Sequence, residues 1–256
     1  MPRHIAAIAI AGLVALACAS PAGASRTTKK PSGSITVSAA ASLTEAFIEI
    51  GERFQKQAPK ASVTFNFASS STLVTQIQGG APADVYASAD LTTMGRLVSG
   101  GEVTERPTPF AKSEMQIAVK RGNPMEVTSV ADLATIGTVS LCGTTVPCGA
   151  YAGRVLKRSD VAIPESRITR GVDAKATIGA VAQGDAHAAI VYVTDVVAAG
   201  TAVAAVAIPP EQNVTAIYPI APIAASSNPK LARSFVSYVV SPAGQGILAK
   251  YGFLAA

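Results

Sequence analysis

The sequence predicts an α/β fold. Short runs rich in β-branched residues alternate along the chain with segments of 3.6-residue apolar periodicity. That alternation is the pattern of parallel or mixed sheets flanked by helices. The chain is 256 residues long, 49% apolar and only 14% charged, which suffices for one large core or two modest ones.

The elements follow in order. Ile35-Thr-Val-Ser reads as a strand, and the helix after it places Leu43, Ala46, Phe47, Ile50 and Phe54 on one face. Next come a strand over 63–67, a helix over 73–78, a strand over 84–87 and a helix from Leu91. Strands are expected at 115–120, 138–141, 167–171 and 188–193, with helices at 150–158 and 174–183. Residues 229–251 hold two helices broken at Ser241-Pro242. Ala216-Ile-Tyr-Pro-Ile-Ala-Pro-Ile is extended but broken by prolines, and reads as a connector more than a core strand.

The first residues address the chain for export. Arg3 precedes an apolar run from Ile5 to Ala17, too short for a helix of about 20 residues to span a bilayer and flanked like a signal peptide. Ala15-Leu16-Ala17-Cys18 resembles a bacterial lipobox, so residues 1–17 are expected to be removed and Cys18 lipidated. The competing reading is cleavage near Ala22-Gly23-Ala24, which would leave no anchor. Residues 18–34 have the Ser/Thr/Pro/Gly/Lys composition of a flexible tether. The charge sits there too. Of 21 Lys+Arg, four (Arg3, Arg26, Lys29, Lys30) precede the body, leaving 17 against all 16 Asp+Glu. A nearly neutral body without a basic stripe argues against nucleic-acid binding, whereas a basic tether suits an anionic membrane surface.

Cys142 and Cys148 stand six apart in Leu-Cys-Gly-Thr-Thr-Val-Pro-Cys-Gly. Outside the cytoplasm such a pair can form a disulfide around a tight loop, the alternatives being two reduced thiols or a metal site. The metal reading lacks ligands, because the only histidines are His4 in the leader and the isolated His187. No G-x-S-x-G elbow, P-loop, G-x-G-x-x-G turn or H-E-x-x-H helix is present, so no catalytic constellation stands out and the chain does not read as an enzyme.

Hydroxyls cluster instead at helix starts. Ser42 precedes the first helical stretch with Glu45 three residues on, a pattern that also fits an ordinary capping box. Ser69-Ser70-Ser71-Thr72 opens the next helix with more hydroxyls than one cap needs. Helix starts present unpaired amides and partial positive charge, so such turns hold anions without a formal cation.

Three segments, Ala39-Ala-Ala-Ser-Leu-Thr-Glu-Ala-Phe, Phe67-Ala-Ser-Ser-Ser-Thr-Leu-Val-Thr-Gln-Ile and Gly80-Ala-Pro-Ala-Asp-Val-Tyr-Ala-Ser-Ala-Asp, resemble signature segments of bacterial periplasmic molybdate-binding proteins. So do Val146-Pro-Cys-Gly-Ala-Tyr-Ala, Ile190-Val-Tyr-Val-Thr-Asp and Tyr251-Gly-Phe, and the likeness runs from Ile35 to Phe253. The resemblance implies an α/β, two-lobed periplasmic-binding-protein fold of the type II solute-binding class, with the ligand cleft between lobes. Lobe 1 would comprise 35–112 and 219–256 and lobe 2 would comprise 113–218, with hinges near Ala111–Glu114 and Tyr218–Pro219. The implied function is capture of molybdate, with tungstate as a second ligand, for the permease of an ABC importer by a lipid-anchored monomer. Sulfate or another small anion is the alternative. No cofactor is implied, and molybdenum would be held only as its oxyanion. Carried over position by position, the ligands would be the hydroxyls and amides of Ser42 and Ser70, the amides of Cys148 and Ala174, and the Tyr192 hydroxyl. Cys148 and Ala174 stand where relatives often have Ala and Val, a change without effect if only the main chain binds. Donors of this kind match an oxyanion carrying no proton of its own.

Overall fold

The computed structural model describes residues 1–2 and 31–256. Cys18, the signal peptide and most of the tether lie outside the described residues. The first element is β1 (Ser32–Ala40), paired along its length with β2 (Lys60–Ala68). Residues 32–34, expected in the tether, are therefore strand.

Between these strands lies α1 (Thr44–Gln57), whose buried face carries Ala46, Phe47, Ile50 and Phe54, the positions the periodicity selects. α2 (Ser70–Gln78), β3 (Val85–Ala87) and α3 (Leu91–Gly100) follow. β4 (Thr108–Lys120) is thirteen residues long and serves both halves of the molecule. The second half contains β5 (Val139–Cys142), α4 (Pro147–Arg158), β6 (Ile168–Gly171), α5 (Ala174–Gln183), β7 (Ala188–Tyr192), α6 (Val193–Ala199) and β8 (Val203–Val206). The chain returns through β9 (Thr215–Pro222) and ends in α7 (Pro229–Val239) and α8 (Pro242–Lys250).

The strand order is β2-β1-β3-β9-β4-β7-β5-β6, with β8 also on β4. Residues 108–114 of β4 pair antiparallel with β9, and residues 115–120 pair with β7 and β8. β4 thus joins two sheet segments, each with helices packed on it. An aromatic cluster fills the first half, with Phe47 against Phe65, Phe110 and Phe235 at centroid distances of 6.3, 5.8 and 6.2 Å. Each such buried ring contributes about 1.5–3 kcal/mol of transfer free energy.

The segment expected to be a connector is a central strand. β9 lies between β3 and β4, and its prolines are placed where the ladder tolerates them. Pro219 faces Pro109 beside a register irregularity of β4, and Pro222 ends the strand. Residues 218 and 219, where a lobe boundary is expected, lie within β9, which pairs with β3 and the first part of β4. β4 changes partners near Glu114–Met115, from β9 to β7 and β8, beside the 207–214 connection. There the buried Asn213 side chain donates to the Met115 carbonyl and accepts its N–H, at 2.9 and 3.0 Å.

Candidate functional site

The N-terminal ends of α2, α4 and α5, together with the 3₁₀ turn Ala41–Leu43, converge between the two halves. They surround a small cavity of about 20 Å³ lined by Ala40, Ala41, Ser42, Ser69, Ser70, Ala89, Val146, Pro147, Cys148, Asp173, Ala174 and Tyr192. The structure brings Ser42, Ser70, Cys148, Ala174 and Tyr192 together here, from five separate segments. No Lys or Arg lines it, so an anion would be held by dipoles and hydroxyl protons.

The serine turns divide their labour. Ser69 caps α2, its hydroxyl accepting the Thr72 N–H at 3.1 Å. That leaves Ser70, whose Oγ accepts the Ala89 N–H at 3.0 Å and keeps its own proton to donate. Ser71 donates to the Thr145 carbonyl across the cleft at 2.9 Å. Ser42 departs from the capping-box alternative. It makes no cap, and its Oγ lies 3.1 Å from the Tyr218 hydroxyl. Glu45, the other half of that pattern, reaches Lys175 of α5 instead.

α4 begins three residues earlier than its apolar periodicity suggests. With Pro147 in the first turn and no side-chain cap, the Cys148 and Gly149 amides lack intrahelical acceptors. A Cβ on Gly149 would stand 2.0 Å from the Gly143 carbonyl oxygen, so glycine alone lets the loop fold against the helix start. Cys142 and Cys148 are joined by a disulfide, closing the turn that carries Val146 and Pro147 into the cavity. Asp173 caps α5 by accepting the Ala176 N–H at 2.9 Å, leaving the Ala174 amide at the cavity wall.

Tyr192 is the most informative member. It is 1% exposed, lines the cavity, and its hydroxyl has no hydrogen-bond partner. A buried phenol left without a partner costs about 1–3 kcal/mol, so an oxygen of a bound ligand is its natural acceptor. Burial, then the neighbouring Tyr218 and Tyr151, pushes its pKa well above the usual phenol value, so Tyr192 remains a neutral donor. Burial raises Tyr218 likewise.

Behind Tyr192 lies Asp195, fully buried in the first turn of α6. One carboxyl oxygen accepts the Tyr192 N–H at 3.2 Å and the other has no partner. Burial raises its pKa to about 7, against the opposing pull of Lys175. His187 is elsewhere, packed against Gly137, and lines no part of the cavity. No cluster of three metal-ligating side chains occurs among the described residues.

Residues 35–254 match the family of bacterial extracellular solute-binding proteins. The chain belongs to that family. This solute-binding protein is 38% identical over 250 residues to the molybdate-binding protein ModA of Mycobacterium tuberculosis, a match covering 97% of the chain and 95% of the relative. It is 31% identical over 239 residues to ModA of Haemophilus influenzae, covering 88% and 91%. Its backbone superposes on the periplasmic molybdate-binding protein of Azotobacter vinelandii with a TM-score of 0.79 at 18% identity, covering 87% and 99%. The fold is the two-lobed type II solute-binding fold, and the family places the protein outside the cytoplasm.

Tyr218 and Asp195 are the residues at the site that the sequence did not mark for a part in it. Tyr218 was hidden among the prolines of β9. The one sign of Asp195 was an acidic residue three positions after Tyr192, the N3 position of a helix not expected there.

Proposed function

We propose that this solute-binding protein captures molybdate, with tungstate as a second ligand, and presents it to the permease of an ABC importer. The observation that carries the reading is the cavity between the lobes, walled by hydroxyls and helix-start amides with no cation. The M. tuberculosis and H. influenzae relatives, both molybdate-binding by name, support the same ligand class.

In this reading Ser42, Ser70 and Tyr192 donate hydroxyl protons while the amides of Cys148 and Ala174 complete the shell. The protein is a carrier and not an enzyme, and uses no cofactor. Lobe 1 comprises residues 31–114 and 215–256 and lobe 2 comprises residues 115–214, a division that follows the sheet pairing. Both lobes supply ligands, so only the closed form completes the site, and the permease senses occupancy through that shape. Cleavage before Cys18 and lipidation of its thiol would leave a membrane-tethered monomer.

Thermal-shift and calorimetric titrations with molybdate, tungstate, sulfate and phosphate test the ligand. Molybdate and tungstate are expected to raise the melting temperature strongly. A response to sulfate alone would assign the site to sulfate, and no response to any anion would remove the oxyanion reading.

A further inference from the structure

The two lobe-1 serines share a feature that separates their role from simple proximity. Each has a hydrogen-bond partner behind it. Ser70 Oγ accepts the Ala89 N–H, a donor that cannot reverse. Ser42 Oγ faces a hydroxyl, Tyr218 Oη at 3.1 Å, and a hydroxyl pair can run in either direction.

The surroundings decide that direction. Tyr218 is fully buried, its hydroxyl bonded to Ser42 and flanked by the buried, otherwise unpartnered hydroxyl of Thr194. If Ser42 donated to Tyr218, the phenol proton could still turn to Thr194, but Ser42 would present lone pairs to an incoming anion. If Tyr218 donates, that fault vanishes. Its proton is satisfied, and the Ser42 proton is left to point into the cavity. The ring is held for this task by edge contacts with Phe110, Phe253 and Tyr192, at 6.4, 5.2 and 5.8 Å between centroids.

We infer that Tyr218 is a positioning residue for anion binding: by donating to Ser42 Oγ it fixes that serine as a donor and so helps the cavity reject anions that carry a proton. The inference rests on the oxyanion reading of the cavity and deepens it. A molybdate dianion offers only acceptors. Hydrogen phosphate also needs one acceptor for its own proton, and a Ser42 committed as donor does not add one to the cavity wall. Tyr218 does not line the cavity, so its effect must pass through Ser42.

A double-mutant cycle tests this by calorimetry at pH 7.5, titrating molybdate and phosphate into wild type, Tyr218→Phe, Ser42→Ala and the double variant. Tyr218→Phe alone is expected to weaken molybdate about ten- to hundredfold, the cost of a misdirected hydrogen bond to a charged group. In the Ser42→Ala background the same change is expected to cost less than twofold. The molybdate-to-phosphate affinity ratio should narrow in Tyr218→Phe and not in the double variant. An unchanged affinity in Tyr218→Phe would overturn the inference, as would an equal loss in both backgrounds, which marks a packing role. A wild type that binds neither anion would sink the oxyanion reading and this inference together. Should Tyr218→Phe fail to fold, the wild-type complex still decides. A Tyr218 hydroxyl proton with a nuclear Overhauser effect to the Ser42 β-protons supports it, and a Ser42 hydroxyl proton directed at the Tyr218 oxygen refutes it.

Discussion

Glu45 and Lys175 meet across the cleft, with the ammonium nitrogen 2.6 and 2.7 Å from the two carboxylate oxygens. Glu45 lies one turn past Ser42 on α1, and Lys175 directly follows Ala174 on α5. The ion pair therefore joins the two helix starts that flank the cavity from opposite lobes.

Glu45→Gln should speed anion release while leaving the melting temperature of the anion-free protein within about a degree. Both partners are partly exposed, so the pair is worth about 0.2–1 kcal/mol and the dissociation constant should rise roughly fivefold or less. Stopped-flow release in low and high salt checks this, since screening should erase the difference.

Ser42→Ala and Ser70→Ala should each weaken molybdate by about tenfold or more, measured by calorimetry. Ser70→Ala additionally leaves the Ala89 amide without its acceptor, so it should also lower thermal stability. A Ser70→Ala variant that loses affinity with no loss of stability would show that the Ala89 contact does not support the fold.

Tyr192→Phe should separate stability from binding. The hydroxyl has no partner in the protein, so its removal should leave the anion-free protein as stable or more stable. The thermal shift induced by molybdate should shrink sharply. A large destabilisation of the anion-free protein would mean that the hydroxyl serves the fold.

Asp195 makes both stability and binding depend on pH. Its folded pKa is raised to about 7 by burial, above the unfolded value near 3.8, so the folded state holds the proton more tightly. This group's contribution to stability is full below about pH 4 and is lost as pH rises toward 7. The charges around it are Lys175 and Asp173 on and before α5, and Glu45 on α1, with the phenols of Tyr192 and Tyr218 beside it. A dianion bound nearby disfavours the carboxylate further, so binding should take up protons near pH 7 and weaken as pH rises through that range. Calorimetry in buffers of different ionisation enthalpy measures the uptake, and Asp195→Asn, which keeps an acceptor for the Tyr192 amide, should abolish it.

Reduction of Cys142–Cys148 should weaken molybdate without unfolding the protein. The bond closes a loop of a few residues, a restraint worth about 2 kcal/mol on the unfolded chain. Its larger effect is on the Cys148 amide, which the bond holds at the cavity wall. Unchanged affinity after reduction would remove that role.

Much of the architecture was legible in the amino-acid order. The apolar spacing from Leu43 to Phe54 marks the buried face of α1, because a helix on a sheet must bury one stripe. The serine turns were visible as a surplus of hydroxyls over caps, and the structure accounts for it: Ser69 caps, Ser70 faces the cavity and Ser71 reaches the other lobe. What misled was local chemistry with more than one solution. Ser42 and Glu45 have capping-box spacing, yet each finds a distant partner, 176 and 130 residues away. Prolines in 216–223 argued against a strand, yet Pro219 faces Pro109, where neither residue has an N–H to lose.

The sequence by itself determined the alternation of strands and helices, the surplus of hydroxyls at helix starts, and a near-neutral body that must hold anions without charge. These are short-range properties, set by periodicity, composition and turn chemistry. Only the tertiary structure decided which donors face the cavity, that Tyr218 stands behind Ser42, and that Asp195 lies buried behind Tyr192. Those relationships join residues far apart in the chain, and a hydroxyl's direction or a carboxyl's proton depends on the groups that folding places around it.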